Sequence, residues 1–308
     1  MTKAVRFDNY GDVDVLEVRD VERPVPADGE VLVEVKAAGI NPGEAKIRDG
    51  ALKDVFPATF PSGQGSDFAG VVAAVAPGVD TFGVGDEVLG FSEKRSSHAE
   101  FVAVPAEQVV SKPRQLSWEV AGSLFVAGTT AYAAVRSVEL KPGDVVAVSG
   151  AAGGVGSLAV QLARRTGATV LGIAGPTNND WLTDHGMIPV TYGDNLADRL
   201  RAASPSGRVD AFLDLFGSGY VELAVNELGI DPQRVDTIAD FAAVPKFGVQ
   251  AAGNADAANA GVLAELADLA ATRELEVPIA GVYALDDIRS AFRELEHQHT
   301  HGKLVLRP

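Results

Sequence analysis

The sequence predicts an α/β protein built in two parts: a first third of short β segments forming an irregular β barrel or sandwich, and a middle stretch that winds a doubly wound parallel sheet. Three observations carry this. Pro and Gly punctuate nearly every gap of the first third, including Pro77-Gly78 and residues 83–86. From about Ser117 helical patterns begin to alternate with strands. Within that alternation, residues 145–156, VVAVSGAAGGVG, set an apolar run against a glycine cluster, and the Ala/Leu-rich segment SLAVQLARRTGA follows at once. That is a strand, a tight turn and a helix.

In chain order the early β segments are KAVRF, VLEVRDVERP, EVLVEVKAAGI, GVVAAVA, DEVLGF, AEFVAV and VVSKP. WEVAGSLFVAGTTAYAAVRSV then reads as a helical stretch with an internal turn, and LKPGDVVAVSG as a return to strand. Beyond the glycine cluster, strands are predicted at 169–173, 189–192, 209–216, 235–239 and 247–251, with helices at 197–203, 220–227 and 257–272. VPIAGVYALDDIRSAFRELEHQ gives a strand and then an amphipathic helix with Ile288, Ala291, Phe292 and Leu295 on one face. Residues 303–306 close as a strand that can return to the first part, leaving the middle inserted.

Composition narrows the function classes. At 308 residues the chain is long enough for two domains, and 46% hydrophobic with 22% charged residues is an ordinary globular balance. A net charge of −16 argues against nucleic acid, which needs a basic face. There is no cysteine, which removes disulfides, thiolate zinc sites and a catalytic thiol, and fits a reducing compartment. The N-terminal MTKAVRFDNYGD lacks the apolar core of a signal peptide, and no apolar stretch reaches ~20 residues. A cytoplasmic protein with no membrane partner is expected.

The glycine cluster carries the first chemistry. Ala151-x-Gly153-x-x-Gly156 keeps the second and third glycines of a dinucleotide-binding turn, where backbone approaches a pyrophosphate and helix packs closely on strand. The helix then offers its N-terminal amides to the anion, with Ala152, Gly153, Gly154, Val155 and Gly156 as the cradle. A P-loop is ruled out because Ser157 stands where lysine is required.

Six segments in order, GINPGEAKIRDG, GSDFAGVVAAVAPGV, FGVGDEV, TAY, LKPGDVVAVSGAAGGVGSLAVQLAR and HGKLVL, make the chain resemble the medium-chain dehydrogenase/reductase superfamily, in its zinc-free quinone oxidoreductase (zeta-crystallin-like) branch. The resemblance implies a GroES-like catalytic domain over 1–118, completed by 277–308, and a Rossmann domain over 119–276. It further implies NADPH in the cleft and a homodimer. Zinc-dependent relatives place a ligand near Asn41 and a His-Glu pair where this chain has Ser66-Asp67, so no metal site is expected. The remaining metal pattern, His297-x-His299-x-His301, reads better as a polar turn, and His98 and His185 as surface or structural histidines.

The stretch GIAGPTNND decides the cofactor. An NAD site places an acid at the end of the second strand, and here the first acid is Asp180, well beyond it, so NADP(H) is favoured. The loop offers Gly175, Thr177 and Asn178 but no Lys or Arg, which weakens discrimination. Tyr192, matching a family tyrosine after the third strand, is a candidate contact of the adenosine ribose or its phosphate. By the same resemblance Thr130 approaches the nicotinamide amide, Phe216 and Phe241 line the strand ends, and Lys303 lies close to the site.

For catalysis the candidates are Asn41, whose amide can orient a carbonyl oxygen or the nicotinamide ribose, and Lys46, which stands where several relatives carry tyrosine. An ammonium can stabilise a developing enolate, although lysine commonly extends to solvent. The expected reaction is hydride transfer from NADPH to a quinone or α,β-unsaturated carbonyl, acceptors that need orientation more than a Lewis acid. A methyltransferase loses ground because its ribose-binding acid is also missing. The alternative from another class is an NADPH-binding regulatory or structural protein with little turnover.

Overall fold

The computed structural model describes residues 1–297 and 300–308. The chain falls into two compact units, residues 1–126 with 259–308, and residues 127–258.

The strands of the first unit are β1 (Thr2–Arg6), β2 (Glu17–Val21), β3 (Glu30–Gly39), β4 (Asp67–Val75), β5 (Glu87–Phe91), β6 (Phe101–Pro105) and β7 (Val109–Ser111). The second unit supplies β8 (Val145–Val148), β9 (Thr169–Ala174), β10 (Ile188–Thr191), β11 (Ala211–Asp214) and β12 (Val235–Thr237), and the chain returns with β13 (Ile279–Ala284) and β14 (Lys303–Arg307).

In the first unit β1 and β2 pair as a ribbon, while β13-β14-β3-β4-β5-β7 form a larger sheet with β6 also on β3. The last strand does come back: Val305 pairs with Gly39 and Leu306 with Ala38. Valines of β3, β5 and β6 with Phe68 fill one core; a second joins Phe7, Leu16 and Ile40 to Leu304, Leu306 and the terminal helix Ile288–Glu296. Of that helix's predicted apolar face, Ile288, Ala291 and Phe292 are buried and Leu295 is half-buried.

The second unit holds a five-stranded parallel sheet in the order β10-β9-β8-β11-β12. The order reverses at β8, the strand that feeds the glycine turn, which is the switch point of a doubly wound Rossmann sheet. The sixth strand predicted at 247–251 is not formed. The helix Ala243–Phe247 takes up its first residue, Gly248 turns the chain in the left-handed region at φ 72°, and Gln250 alone bridges Asp236. The predicted helix 220–227 keeps one α turn, Tyr220–Glu222, and continues as the π-helical Leu223–Glu227.

The seams of the two compact units fall at 126/127 and 258/259. The turn Trp118–Ala121 belongs with the first unit because the Gly122 carbonyl accepts from Gly39 N–H at 2.7 Å and Phe125 stacks on Phe91 at 4.0 Å. The helix Ala260–Ala271 joins the same unit, burying Leu263, Leu266 and Ala267, and Asn259 caps it by accepting from Val262 N–H at 3.0 Å. Among the described residues no helix is long and apolar enough to cross a membrane.

Candidate active site

The glycine turn is built as the spacing requires. A Cβ on Gly156 would lie 2.0 Å from the Gly150 carbonyl oxygen, so only glycine lets the helix Gly156–Arg165 sit this close to β8. At Gly153 the nearest atom to such a Cβ is 3.3 Å away, so the space beside that glycine is more open. The helix start at Val155 has no side-chain cap and no acid in its first turn. No acid of the helix's own first turn competes for its N-terminal amides.

β9 ends at Ala174, and no acid stands at its end; Asp180 is exposed in the helix Asn179–Asp184. Thr177 is exposed and Asn178 half-buried in the intervening turn. Tyr192 leans over from the end of β10, its hydroxyl 3.6 Å from where a Gly175 Cβ would stand.

Tyr192, Phe216 and Phe241 are 52%, 46% and 56% exposed, so none is a core residue. They follow β10, β11 and β12 at the carboxyl ends of the sheet, the edge on which such sheets bind ligands. Sequence reasoning missed the group that sets these loops. Asp214, fully buried, accepts from Ser149 Oγ at 2.8 Å, Thr237 Oγ1 at 2.9 Å and the Gly217 amide at 2.8 Å. An acid closing the apolar run AFLD was the available signal. Thr130 is buried in the helix Phe125–Ser137, beside Thr129, whose hydroxyl accepts from Asn254 Nδ2 at 2.7 Å.

A buried polar cluster in the first unit brings Asn41 and Lys303 together. Lys303 Nζ donates to Asn41 Oδ1 at 2.6 Å and to the Ile40 carbonyl at 3.0 Å. Asn41 Nδ2 donates to Glu44 Oε1 and to Asp67 Oδ2, both at 3.2 Å, so both amide hydrogens are used. Glu44 turns back at the start of the helix Pro42–Arg48 to accept from Asn41 N–H at 2.9 Å, and takes the Ser66 amide at 3.0 Å. Asp67 Oδ1 accepts from Val126 N–H at 2.8 Å. His98, fully buried, places Nε2 3.1 Å from the Gly39 carbonyl and 3.8 Å from Glu44.

Burial dominates the electrostatics. It pushes the Asp67 carboxyl up to about 6 against the pull of Lys303, and raises Glu44 likewise. It pushes His98 down to about 4, which leaves a neutral imidazole donating to the carbonyl, and it lowers Lys303 while Asp67 and Glu44 hold its proton. Glu44, Asp67 and His98 were not singled out together by sequence, since only sheet pairing brings them to one place. Lys46 is exposed on the same helix as Glu44 and has no part in the cluster. Among the described residues no group of His, Asp and Glu could hold a metal ion. Of the alternating histidines, His299 lies outside the described residues.

A glycine-turn sheet with an inserted-domain topology and a β-rich unit completed by the last strand defines a dehydrogenase/reductase-type architecture. The alcohol dehydrogenase GroES-like domain family matches residues 27–114 and the zinc-binding dehydrogenase family residues 190–306. Quinone oxidoreductase of Pseudomonas aeruginosa is 30% identical over 289 residues, 92% of this chain and 83% of that protein. Human quinone oxidoreductase is 37% identical over 179 residues, 57% of this chain, and the match spans about half that protein's length, 53%. The structure of the quinone oxidoreductase from Coxiella burnetii superposes with a TM-score of 0.88 at 30% identity, covering 100% of this chain and 99% of that one. The chain belongs to the medium-chain dehydrogenase/reductase superfamily, in its quinone oxidoreductase branch.

Proposed function

We propose that this chain is a zinc-independent oxidoreductase that uses NADPH to reduce a quinone or an α,β-unsaturated carbonyl. The observation that carries the reading is the uncapped glycine-turn helix, Gly156–Arg165, beside a second strand that ends at Ala174 without an acid. These residues fit a dinucleotide: Ala152 to Val155 approach the pyrophosphate by backbone, and Gly175, Thr177, Asn178 and Tyr192 flank the adenosine ribose with no acid at the end of β9 to repel a 2′-phosphate. NADPH, when bound, supplies the hydride.

The chain's own groups hold and shield. Phe216 and Phe241 offer exposed aromatic faces that exclude water, and the family resemblance gives Thr130 the nicotinamide amide. Asn41 is held rigidly by Lys303, Glu44 and Asp67, and with its backbone N–H and both amide hydrogens spent, a remaining amide-oxygen lone pair is what it has left to orient a ligand. Zinc independence rests on donor chemistry: an amide, two hydrogen-bonded carboxylates and an ammonium occupy the region where zinc relatives have Cys, His and Glu. The domain boundaries at 118 and 277 and a homodimer follow from the family resemblance, a cytoplasmic location from the absence of a signal-like or long apolar stretch in the sequence, and sedimentation of the purified chain tests the dimer.

The test is consumption of reduced nicotinamide, followed by absorbance, against a panel of quinones and enones with NADPH or NADH. Turnover with NADPH preferred supports the reading. Tight NADPH binding with no turnover of any acceptor favours a regulatory protein instead, and a clear preference for NADH overturns the cofactor assignment.

A further inference from the structure

The turn after β9 is neutral, so a cation for the adenosine 2′-phosphate has to come from elsewhere in the second unit. We propose that Arg199 is that cation and therefore the residue that separates NADPH from NADH in this chain, an inference that rests on the cofactor reading above. Arg199 sits in the first turn of the helix Leu196–Ala203, seven residues beyond Tyr192, which puts it at the carboxyl end of β10. Its Nη1 donates to the carbonyl of Thr191, the residue before Tyr192, and its Nη2 lies 3.8 Å from where a Cβ of Gly193, the residue after Tyr192, would stand. The guanidinium is thus held against the backbone on both sides of the tyrosine whose hydroxyl overhangs Gly175.

Its donors are largely unspent. Nε is buried with no hydrogen-bond partner, and among the described residues Arg199 forms no ion pair. The neighbouring carboxylate Asp198 is engaged by Arg201 at 2.9 Å, and Arg201 is itself used up by that pair and the Glu227 carbonyl, which leaves Arg199 as the available cation of this helix. Asp194 is exposed on the intervening loop. Tyr220, stacked edge-on to Phe216, lies within electrostatic reach of both Tyr192 and Arg199, so the three side chains share one end of the sheet. A half-buried guanidinium with unspent N–H groups is costly in isolation and well matched to a phosphate dianion, which it can grip with two parallel hydrogen bonds.

The experiment is calorimetric titration of the full chain with 2′,5′-ADP, 5′-AMP, NADPH and NADH, for the wild type, Arg199→Met and Arg199→Lys. Arg199→Met is expected to weaken 2′,5′-ADP and NADPH by about 10- to 100-fold while leaving 5′-AMP and NADH within about 2-fold, with Arg199→Lys in between. An unchanged ratio of 2′,5′-ADP to 5′-AMP affinity in Arg199→Met overturns the proposal, and so does a parallel loss of all four ligands, which would mean that Arg199 serves the fold through Thr191. If the wild type binds neither NADPH nor NADH, it is the cofactor reading that fails. If it prefers NADPH and the preference survives Arg199→Met, only the role of Arg199 fails.

Discussion

Lys303 Nζ donates to the Asn41 amide oxygen at 2.6 Å and stands 3.9 Å from Asp67 Oδ2, all three residues being buried. The ammonium is the counter-ion of a carboxylate pair, because Glu44 and Asp67 hold the same Asn41 through its amide nitrogen. Breaking a buried ionic set by deleting one partner leaves the other charges uncompensated. Lys303→Met is expected to lower the unfolding free energy by about 3–5 kcal/mol. Adding Asp67→Asn should recover part of that loss, and urea unfolding of the single and double variants reads it; strictly additive losses would contradict the coupling.

Asp67 and His98 titrate over overlapping ranges with opposite effects on stability. Burial raises Asp67 from 3.8 to about 6 and lowers His98 from 6.5 to about 4. Between these limits folded Asp67 keeps a proton that the unfolded chain releases, so its contribution is complete below 3.8 and is lost as the pH rises through about 6. Folded His98 refuses a proton that the unfolded chain takes up, so its contribution is complete above 6.5 and is lost as the pH falls through about 4. Each slope is at most about 1.4 kcal/mol per pH unit. Asp67→Asn is expected to steepen the loss of stability on acidification, and His98→Gln to flatten it, in unfolding curves measured across this range. Identical slopes in wild type and both variants would refute the assignment.

These two residues also show where the sequence stops being informative. The glycine turn is legible because its geometry is local: three positions within six residues fix the strand, the tight turn and the close approach at Gly156. The aromatics Tyr192, Phe216 and Phe241 enter through the family resemblance, at or just past the ends of predicted strands. Asp67 and His98 are different. They are 31 residues apart in a chain that reads as turns at both places, and only the pairing of β3 with β4, β6 and β14, with the bridge from Ala4 to Ala99, brings them to Asn41 and Lys303. The missing sixth strand has the same cause, because the apolar pattern of 247–251 does not reveal that Gly248 ends a helix there.

The two glycines of the turn should separate folding from binding. Gly156→Ala forces a Cβ to 2.0 Å from the Gly150 oxygen and is expected to cost about 1–3 kcal/mol, with a lower Tm. Gly153→Ala meets the Gly150 carbonyl oxygen at 3.3 Å, a tight contact that a shift of a few tenths of an ångström relieves, so the fold should tolerate it far better than Gly156→Ala while the added methyl intrudes on the proposed pyrophosphate site. Thermal unfolding and NADPH titration of both variants test this; a normal NADPH affinity in a folded Gly153→Ala chain would remove that glycine from the cradle.

Asp214 and Lys46 give the contrast between a buried positioning group and an exposed candidate. Asp214 accepts hydrogen bonds from Ser149, Thr237 and Gly217, which ties together the loops that follow β8, β11 and β12. Asp214→Asn turns one carboxylate oxygen into a donor facing other donors, at a cost of about 1–3 kcal/mol, and frees the loop that carries Phe216. NADPH affinity should fall by about 10-fold or more, since 1.4 kcal/mol of lost positioning is a factor of ten. Lys46 is exposed and outside the hydrogen-bonded cluster, so Lys46→Ala should leave kcat/KM for quinones and enones within about 2-fold of wild type, or less than ~0.5 kcal/mol. Steady-state kinetics on the two variants under one set of conditions decides between them. A large loss in Lys46→Ala would restore the ammonium to the reacting carbon, and an unaffected Asp214→Asn would show that the sheet-end loops hold their aromatic residues without it.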